Sequence, residues 1–190
     1  MKGEWCYFHK YFTKAYCEHV VRIIKTRPYK EATMASDGSN SDNSYRRSNI
    51  RWIQPDDPEL NDLFNQLWYM AIKANNDWFN FHITNLPYLQ VAEYQSAVLG
   101  EYKSHHDVFY MNGDPVYHRK LSCVIQLTDP TEYDGGDLVF ENITQYPNPL
   151  ELRQQGSVIF FPSFTMHRAT QVTKGDRYSI AGWFEGPKWR

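Results

Sequence analysis

The sequence predicts an α+β domain that is mainly β, with two N-terminal helices packed against one sheet of a sandwich or jelly roll. Three observations carry this. From residue 86 onward, short apolar or β-branched runs follow one another, separated by turn signals, which suggests seven or eight strands. Before residue 86, two stretches repeat apolar residues at helical spacing. Aromatic residues make up 16% of the 190-residue chain, enough for a substantial core without disulfides. One domain is therefore expected, with residues 1–85 as helical support and loop and 86–190 as the β core.

In TKAYCEHVVRIIK, Cys17, Val20, Val21 and Ile24 recur on one helical face, and Thr13 is positioned as an N-cap. In DDPELNDLFNQLWYMAIKA, Asp57 is placed to cap and Pro58 suits the first helical position. Leu60, Leu63, Phe64, Leu67, Ala71 and Ala74 make the apolar face. Between the two lies MASDGSNSDNSYRRSN, polar and aperiodic. Residues 35–48 read as a surface loop or, functionally, as a lid whose Tyr45, Arg46 or Arg47 would touch a substrate. The β runs are YLQVAEYQ, GEYKSHHDVF, LSCVIQLT, GDLVFEN, SVIFF, HRATQV and RYSIAGWF, punctuated by NGDP, YDGGD, QQG and TKGD.

Charge and cysteine usage narrow the setting. A net charge of −2 gives no reason to expect a nucleic acid as partner. Cys6, Cys17 and Cys123 form neither a C-x-x-C nor a disulfide framework, which suits a reducing cytoplasm. The N-terminus has no apolar signal region, and no stretch approaches the roughly 20 apolar residues that span a bilayer, so a soluble intracellular protein without a membrane partner is expected.

The chemistry starts at EYKSHHDVFY. Side chains alternate along a strand, so His105 and Asp107 share one face and His106 points to the other. An imidazole and a carboxylate so placed are two of the three ligands of a facial triad for non-heme Fe(II). His167, at the end of GSVIFFPSFTM, is the best placed to supply the third from another strand. His9, His19, His82 and His118 are poorly placed. In DRYSIAGWF, alternation puts Arg177, Ser179, Ala181 and Trp183 on one face, so a guanidinium and a hydroxyl project together as a carboxylate receptor.

The order H-x-D, a histidine sixty residues on, and an arginine ten residues after it resembles the Fe(II)- and 2-oxoglutarate-dependent dioxygenases. Within them it is most similar to the prolyl 4-hydroxylase branch, including PKHD-type hydroxylases, over residues 88–186. The resemblance implies a double-stranded β-helix. It also implies His105, Asp107 and His167 as iron ligands, and Arg177 as the residue holding the far carboxylate of 2-oxoglutarate. Tyr94 and Tyr102 fall where relatives carry tyrosines before the H-x-D, Trp183 where they carry a tryptophan near the metal, and YDGGDLVF resembles their G-G-[ED]-L turn. Gln126 stands where some relatives use a tyrosine to bind the cofactor carboxylate, so that contact is remodelled or supplied by Tyr94.

The implied reaction uses Fe(II), 2-oxoglutarate and O2, with ascorbate as reductant, and releases succinate and CO2 while hydroxylating an aliphatic carbon. The first expectation for the substrate is a prolyl residue in a peptide or protein, with a free amino acid or a lysyl residue next. Phe109, Phe160, Phe161 and Trp183 are candidates for excluding water. A nucleic-acid demethylase would carry a second arginine six residues after Arg177, where this chain has Trp183. A related halogenase would lack the carboxylate that Asp107 supplies. A non-catalytic metal-binding jelly roll is the remaining alternative.

Overall fold

The structure, a computed structural model, describes residues 1–32, 44–108 and 117–189. In chain order its strands are β1 (Cys6–Phe8), β2 (Lys30–Glu31), β3 (Arg46–Arg47), β4 (Asn49–Ile53), β5 (Leu89–Gln95), β6 (Glu101–His105) and β7 (Tyr117–Gln126). They continue as β8 (Asp134–Gly135), β9 (Leu138–Phe140), β10 (Val158–Pro162), β11 (His167–Ala169), β12 (Val172–Lys174) and β13 (Asp176–Pro187). The helices are α1 (Lys14–Lys25), α2 (Asp62–Ala74), which continues as a π-helical turn over Asn75–Phe79, and the short α3 (Pro149–Leu152).

Thr13 caps α1 as expected, its Oγ1 accepting from the Tyr16 amide at 3.2 Å. The buried face of α1 is Cys17, Val20, Ile23 and Ile24, with Val21 half-buried. The second helix begins later than expected. Asp57 accepts from the amides of Glu59 and Leu60 and thereby caps a preceding turn, while α2 starts at Asp62. Leu60 is buried from that turn, and Leu63, Phe64, Leu67, Ala71 and Ala74 line the face of α2 together with Met70.

Strands pair antiparallel in a seven-stranded sheet of order β1-β10-β7-β13-β5-β4-β2, a four-stranded sheet β3-β6-β11-β9 and a β12-β8 pair. Strand structure therefore starts well before residue 86. Cys6–Phe8 forms one edge of the large sheet, and NIRWI joins it beside β5. One face of the large sheet packs on α1 and α2 through Leu89, Val91, Leu121, Cys123, Ile125, Ile180 and Phe184, giving the main core. The other face looks toward the small sheet.

The lid expectation has two outcomes. Residues 35–43 lie outside the described residues. Tyr45 donates its hydroxyl hydrogen to the Ser104 carbonyl, and Arg46 and Arg47 pair with Tyr102 and Glu101 as a strand rather than a solvated loop. Arg47 is held by Glu101 at 2.6 Å. Phe109 also lies outside the described residues.

Candidate active site

Strand register builds the site's floor. Across the inner face of the large sheet, Arg177 pairs with Tyr94, Ser179 with Ala92 and Gln126, Ala181 with Gln90 and Val124, and Trp183 with Ser122. On β4, Ile50 and Trp52 join the same face opposite Ala92 and Gln90. The four β13 residues expected to share a face do so.

The small sheet brings the histidines over this floor. His167 on β11 pairs directly with His105 on β6. Asp107 does not belong to the strand. It lies two residues past the end of β6, where its amide donates to the Ser163 carbonyl at 2.8 Å. The carboxylate still meets both rings: Asp107 Oδ1 is 3.8 Å from His105 Nε2, and Oδ2 is 3.7 Å from His167 Nε2. One ligand atom from each residue lies within 4.8 Å of the other two, and this trio alone forms such a cluster among the described residues. His106 is exposed and outside it.

The protonation states suit a metal. His105 Nδ1 is 2.7 Å from the Lys103 carbonyl and His167 Nδ1 is 2.9 Å from the Thr165 carbonyl. A carbonyl only accepts, so each Nδ1 carries a hydrogen, which leaves each Nε2 as the ring nitrogen a metal would take beside Asp107. Burial, reinforced by the neighbouring His167, holds the His105 imidazole well below its usual pKa, so it is neutral. Burial opposes the Asp107 charge, but the adjoining His167 and His105 and a hydrogen bond from Ser122 outweigh it, so its carboxyl pKa lies below the usual value. Two imidazoles and one carboxylate are the donor set of a non-heme Fe(II) site.

Ser122 escaped the sequence reading. Its Oγ donates to Asp107 Oδ2 at 2.6 Å and contacts Ser163 Oγ at 2.9 Å. Its signal was present: Ser122 and Gln126 are four apart on one strand and so share a face. Arg119 and Gln90 were also missed, and Arg46 was read as part of a loop rather than as a strand beside Tyr102. The Arg119 guanidinium lies 4.0 Å over the Trp183 ring and donates to Tyr88 Oη at 3.0 Å.

Arg177 sits at the inner end of the floor, 2% exposed, with Nη2 donating to Gln126 Oε1 at 2.9 Å and the Tyr94 ring 5.4 Å from its Cζ. Its Nε is buried without any hydrogen-bond partner. A fully desolvated guanidinium N–H left unmade is costly, and a carboxylate would satisfy it. The YDGGD turn makes room: Gly136 has φ +64°, and a Cβ there would stand 2.9 Å from Arg177 Cδ. Ser179 is buried beside it. Tyr102 lies elsewhere, its ring stacked on His105 at 3.5 Å and 17°.

Two aromatic expectations separate. Phe161 packs 4.8 Å from the His167 ring, and Trp183 borders Ser122. Phe160 does not face the site, because alternation along β10 sends it into the helix-side core with Phe8 and Phe184.

Residues 89–185 match the family model of the 2OG-Fe(II) oxygenase superfamily, a span running from β5 into β13 and containing all three clustered ligands. The chain belongs to that superfamily. The chain is 38% identical over 86 residues to a PKHD-type hydroxylase of Synechococcus sp. (strain CC9311), covering 45% of this chain and 37% of the relative. It is 35% identical over 91 residues to one from Colwellia psychrerythraea (strain 34H / ATCC BAA-681), covering 48% and 40%. It thus matches well under half the length of these curated relatives.

In fold, the chain superposes on a Pseudomonas putida prolyl-4-hydroxylase with a TM-score of 0.73 at 18% identity, covering 97% of this chain and 94% of the other. A prolyl hydroxylase from Trichoplax adhaerens, in complex with a hypoxia inducible factor oxygen degradation domain peptide fragment, gives 0.73 at 19% identity, covering 96% and 83%. These likenesses establish the double-stranded β-helix. No helix among the described residues is long and apolar enough to cross a membrane.

Proposed function

We propose that this chain is an Fe(II)- and 2-oxoglutarate-dependent dioxygenase that hydroxylates an aliphatic carbon, first of all that of a prolyl residue in a peptide or protein. The observation that carries the reading is the pairing of the His105–Asp107–His167 cluster with a buried arginine, Arg177, on the floor, whose Nε has no partner. In this reading His105 and His167 ligate iron through Nε2 and Asp107 through its carboxylate, while Arg177 binds the far carboxylate of 2-oxoglutarate. When bound, iron and 2-oxoglutarate supply the oxidative chemistry, which splits O2 between succinate and the hydroxylated carbon with loss of CO2.

The chain's own residues position and shield. Ser122 and the Ser163 carbonyl hold Asp107, the Lys103 and Thr165 carbonyls hold the imidazoles, and Phe161 walls off His167. Gln126 fixes Arg177 through Oε1, which leaves its amide nitrogen as a donor in place of the tyrosine hydroxyl of some relatives. Ser179 and Tyr94 complete that end. Trp183 and Tyr102 border the metal position. Ascorbate would serve as an accessory reductant.

The prolyl assignment draws on the prolyl hydroxylase folds and the PKHD-type names of the relatives. Trp183 under Arg119 occupies the place where a nucleic-acid demethylase would carry its second arginine, which weighs against a base as substrate. Free thiols at Cys6, Cys17 and Cys123 suit work in a reducing cytoplasm, with residues 1–190 acting as one domain. The deciding experiment incubates the protein with Fe(II), 2-oxoglutarate, ascorbate and a panel of proline-containing peptides, lysyl peptides and free amino acids, read by mass spectrometry. One oxygen atom added to a proline, with stoichiometric succinate, is expected. Metal binding without 2-oxoglutarate consumption across the panel would favour the non-catalytic module.

A further inference from the structure

We propose that Arg46 is a receptor for a carboxylate that the substrate carries close to its reacting carbon. The proposal rests on the oxygenase reading of the site and adds a substrate chemistry to it. Arg46 is 7% exposed, so most of its side chain is removed from water. Its Nε donates to Ser48 Oγ and its Nη2 to Gln90 Oε1, both at 2.8 Å. Both acceptors are neutral, no carboxylate lies within ion-pair distance among the described residues, and Nη1 makes no hydrogen bond there and is open to solvent.

Other arginines of this chain are treated differently. Arg51 meets Glu93 at 2.8 Å in an equally buried setting, and Arg47 and Arg153 each meet a carboxylate at 2.6 Å. Burying a guanidinium without an anion is unfavourable, and the Tyr102 ring, 4.4 Å from the Arg46 Cζ, offsets that only in part. An incoming carboxylate would complete the pair in the fork geometry that a guanidinium favours.

Its position ties this unpaired charge to the reaction. Tyr102 lies between Arg46 and His105, stacked on the imidazole at 3.5 Å. Gln90 belongs to the inner row with Trp52 and Ala181, beside the row of Trp183 and Ser122. Along β13, Ala181 is four residues from Arg177, about 13 Å of extended strand. The two arginines thus mark separate carboxylate positions, Arg46 at the Gln90 and Ala181 row, next to the Ser122 and Trp183 row over which Asp107 is held. Arg177 reads the co-substrate and Arg46 reads the substrate. The substrate carboxylate has two sources: an acidic side chain flanking the target residue in a peptide, or the terminal carboxylate of the substrate itself.

The test uses Mn(II)-loaded full-length protein with 2-oxoglutarate and no oxygen, which binds without turning over. Probe binding is read from paramagnetic broadening of the probe's proton resonances. The probes are acetyl-Ala-Pro-Asp-Ala-amide against its Asn counterpart, and free proline against prolinamide. In the pair that reports the true source, the carboxylate probe should bind roughly 10–100-fold tighter than the amide, the range of a charge-assisted hydrogen bond. Arg46→Met should erase that preference while Mn(II) and 2-oxoglutarate still bind, and Arg46→Lys should restore part of it. Gln90→Glu, which places an internal carboxylate on Arg46, should suppress it as well.

Equal binding of acid and amide in both pairs, or a preference that survives Arg46→Met, would overturn the proposal. Loss of Mn(II) binding in both Arg46→Met and Arg46→Lys would overturn it too, by making Arg46 a prop for His105 through the ring stack. If carboxylate probes bind through Arg46 yet neither they nor the wider peptide panel drive 2-oxoglutarate consumption with Fe(II) and O2, the oxygenase reading fails and the receptor stands.

Discussion

At the level of single residues, the site separates atoms that would touch the metal from atoms that aim them. His105→Ala, Asp107→Ala and His167→Ala each remove one of three clustered donors, so each should lower Mn(II) or Fe(II) affinity beyond the roughly 10–100-fold expected for losing a group that only orients a ligand. His106→Ala should leave affinity unchanged, and calorimetric titration of the four variants checks the contrast. Ser122→Ala belongs to the orienting class: Asp107 loses its 2.6 Å donor and metal affinity should fall by about tenfold. Arg177→Ala should weaken 2-oxoglutarate by about 1.5–3 kcal/mol with metal binding intact, measured by anaerobic titration of the Fe(II) protein. An unchanged 2-oxoglutarate affinity would remove Arg177 from the site.

At the level of elements, the sequence was legible where the signal is local. Thr13 and the apolar spacing after it define α1, because capping and helical periodicity act within a few residues. Asp57 misled for the same reason: an aspartate followed by proline caps a turn as well as a helix, and what separates them is the backbone, where the Leu63 and Phe64 amides bond three residues back, to Leu60 and Asn61. NIRWI was hidden as a strand because five residues beside a polar loop carry too little alternation. His105, Asp107, His167 and Arg177 were legible from residue type and spacing. Ser122 was not, since its role depends on which strands become neighbours, and Arg46 was read only as part of a loop because its pairing with Tyr102 is not local. Asp57 also gives a pH dependence. Its hydrogen bonds from Arg27 lower its pKa in the fold, against some burial, so the stability it contributes is present above its unfolded value of about 4 and is lost as pH falls through the lower folded value. Asp57→Asn should therefore be less stable than the wild type at pH 7, and the gap should narrow toward pH 3 in urea denaturation series. Leu67→Ala, fully buried between α2 and the large sheet, should cost about 2–5 kcal/mol without changing metal affinity.

At the level of the whole molecule, the ligand set joins the two sheets. His105 and His167 stand on the small sheet, whereas Asp107 is tied to the large one through Ser122 on β7 and through Ser163 just past β10. A bound divalent ion would therefore link the layers across the interior, in a place where the described contacts are Phe140, Phe161 and the imidazoles rather than backbone pairing. Binding to the folded state alone adds about 2.7 kcal/mol at a free metal concentration 100 times Kd. For a chain of this size that corresponds to a rise in Tm of about 5–10 °C. Thermal unfolding with Mn(II) should show this rise, a chelator should reverse it, and His167→Ala should abolish it while keeping a single cooperative transition. Ser122→Ala should need about tenfold more Mn(II) for the same rise, because it leaves the ligands in place and loosens only their tie to the large sheet. A wild-type Tm that ignores Mn(II) would show that the three side chains meet in the fold without holding a metal.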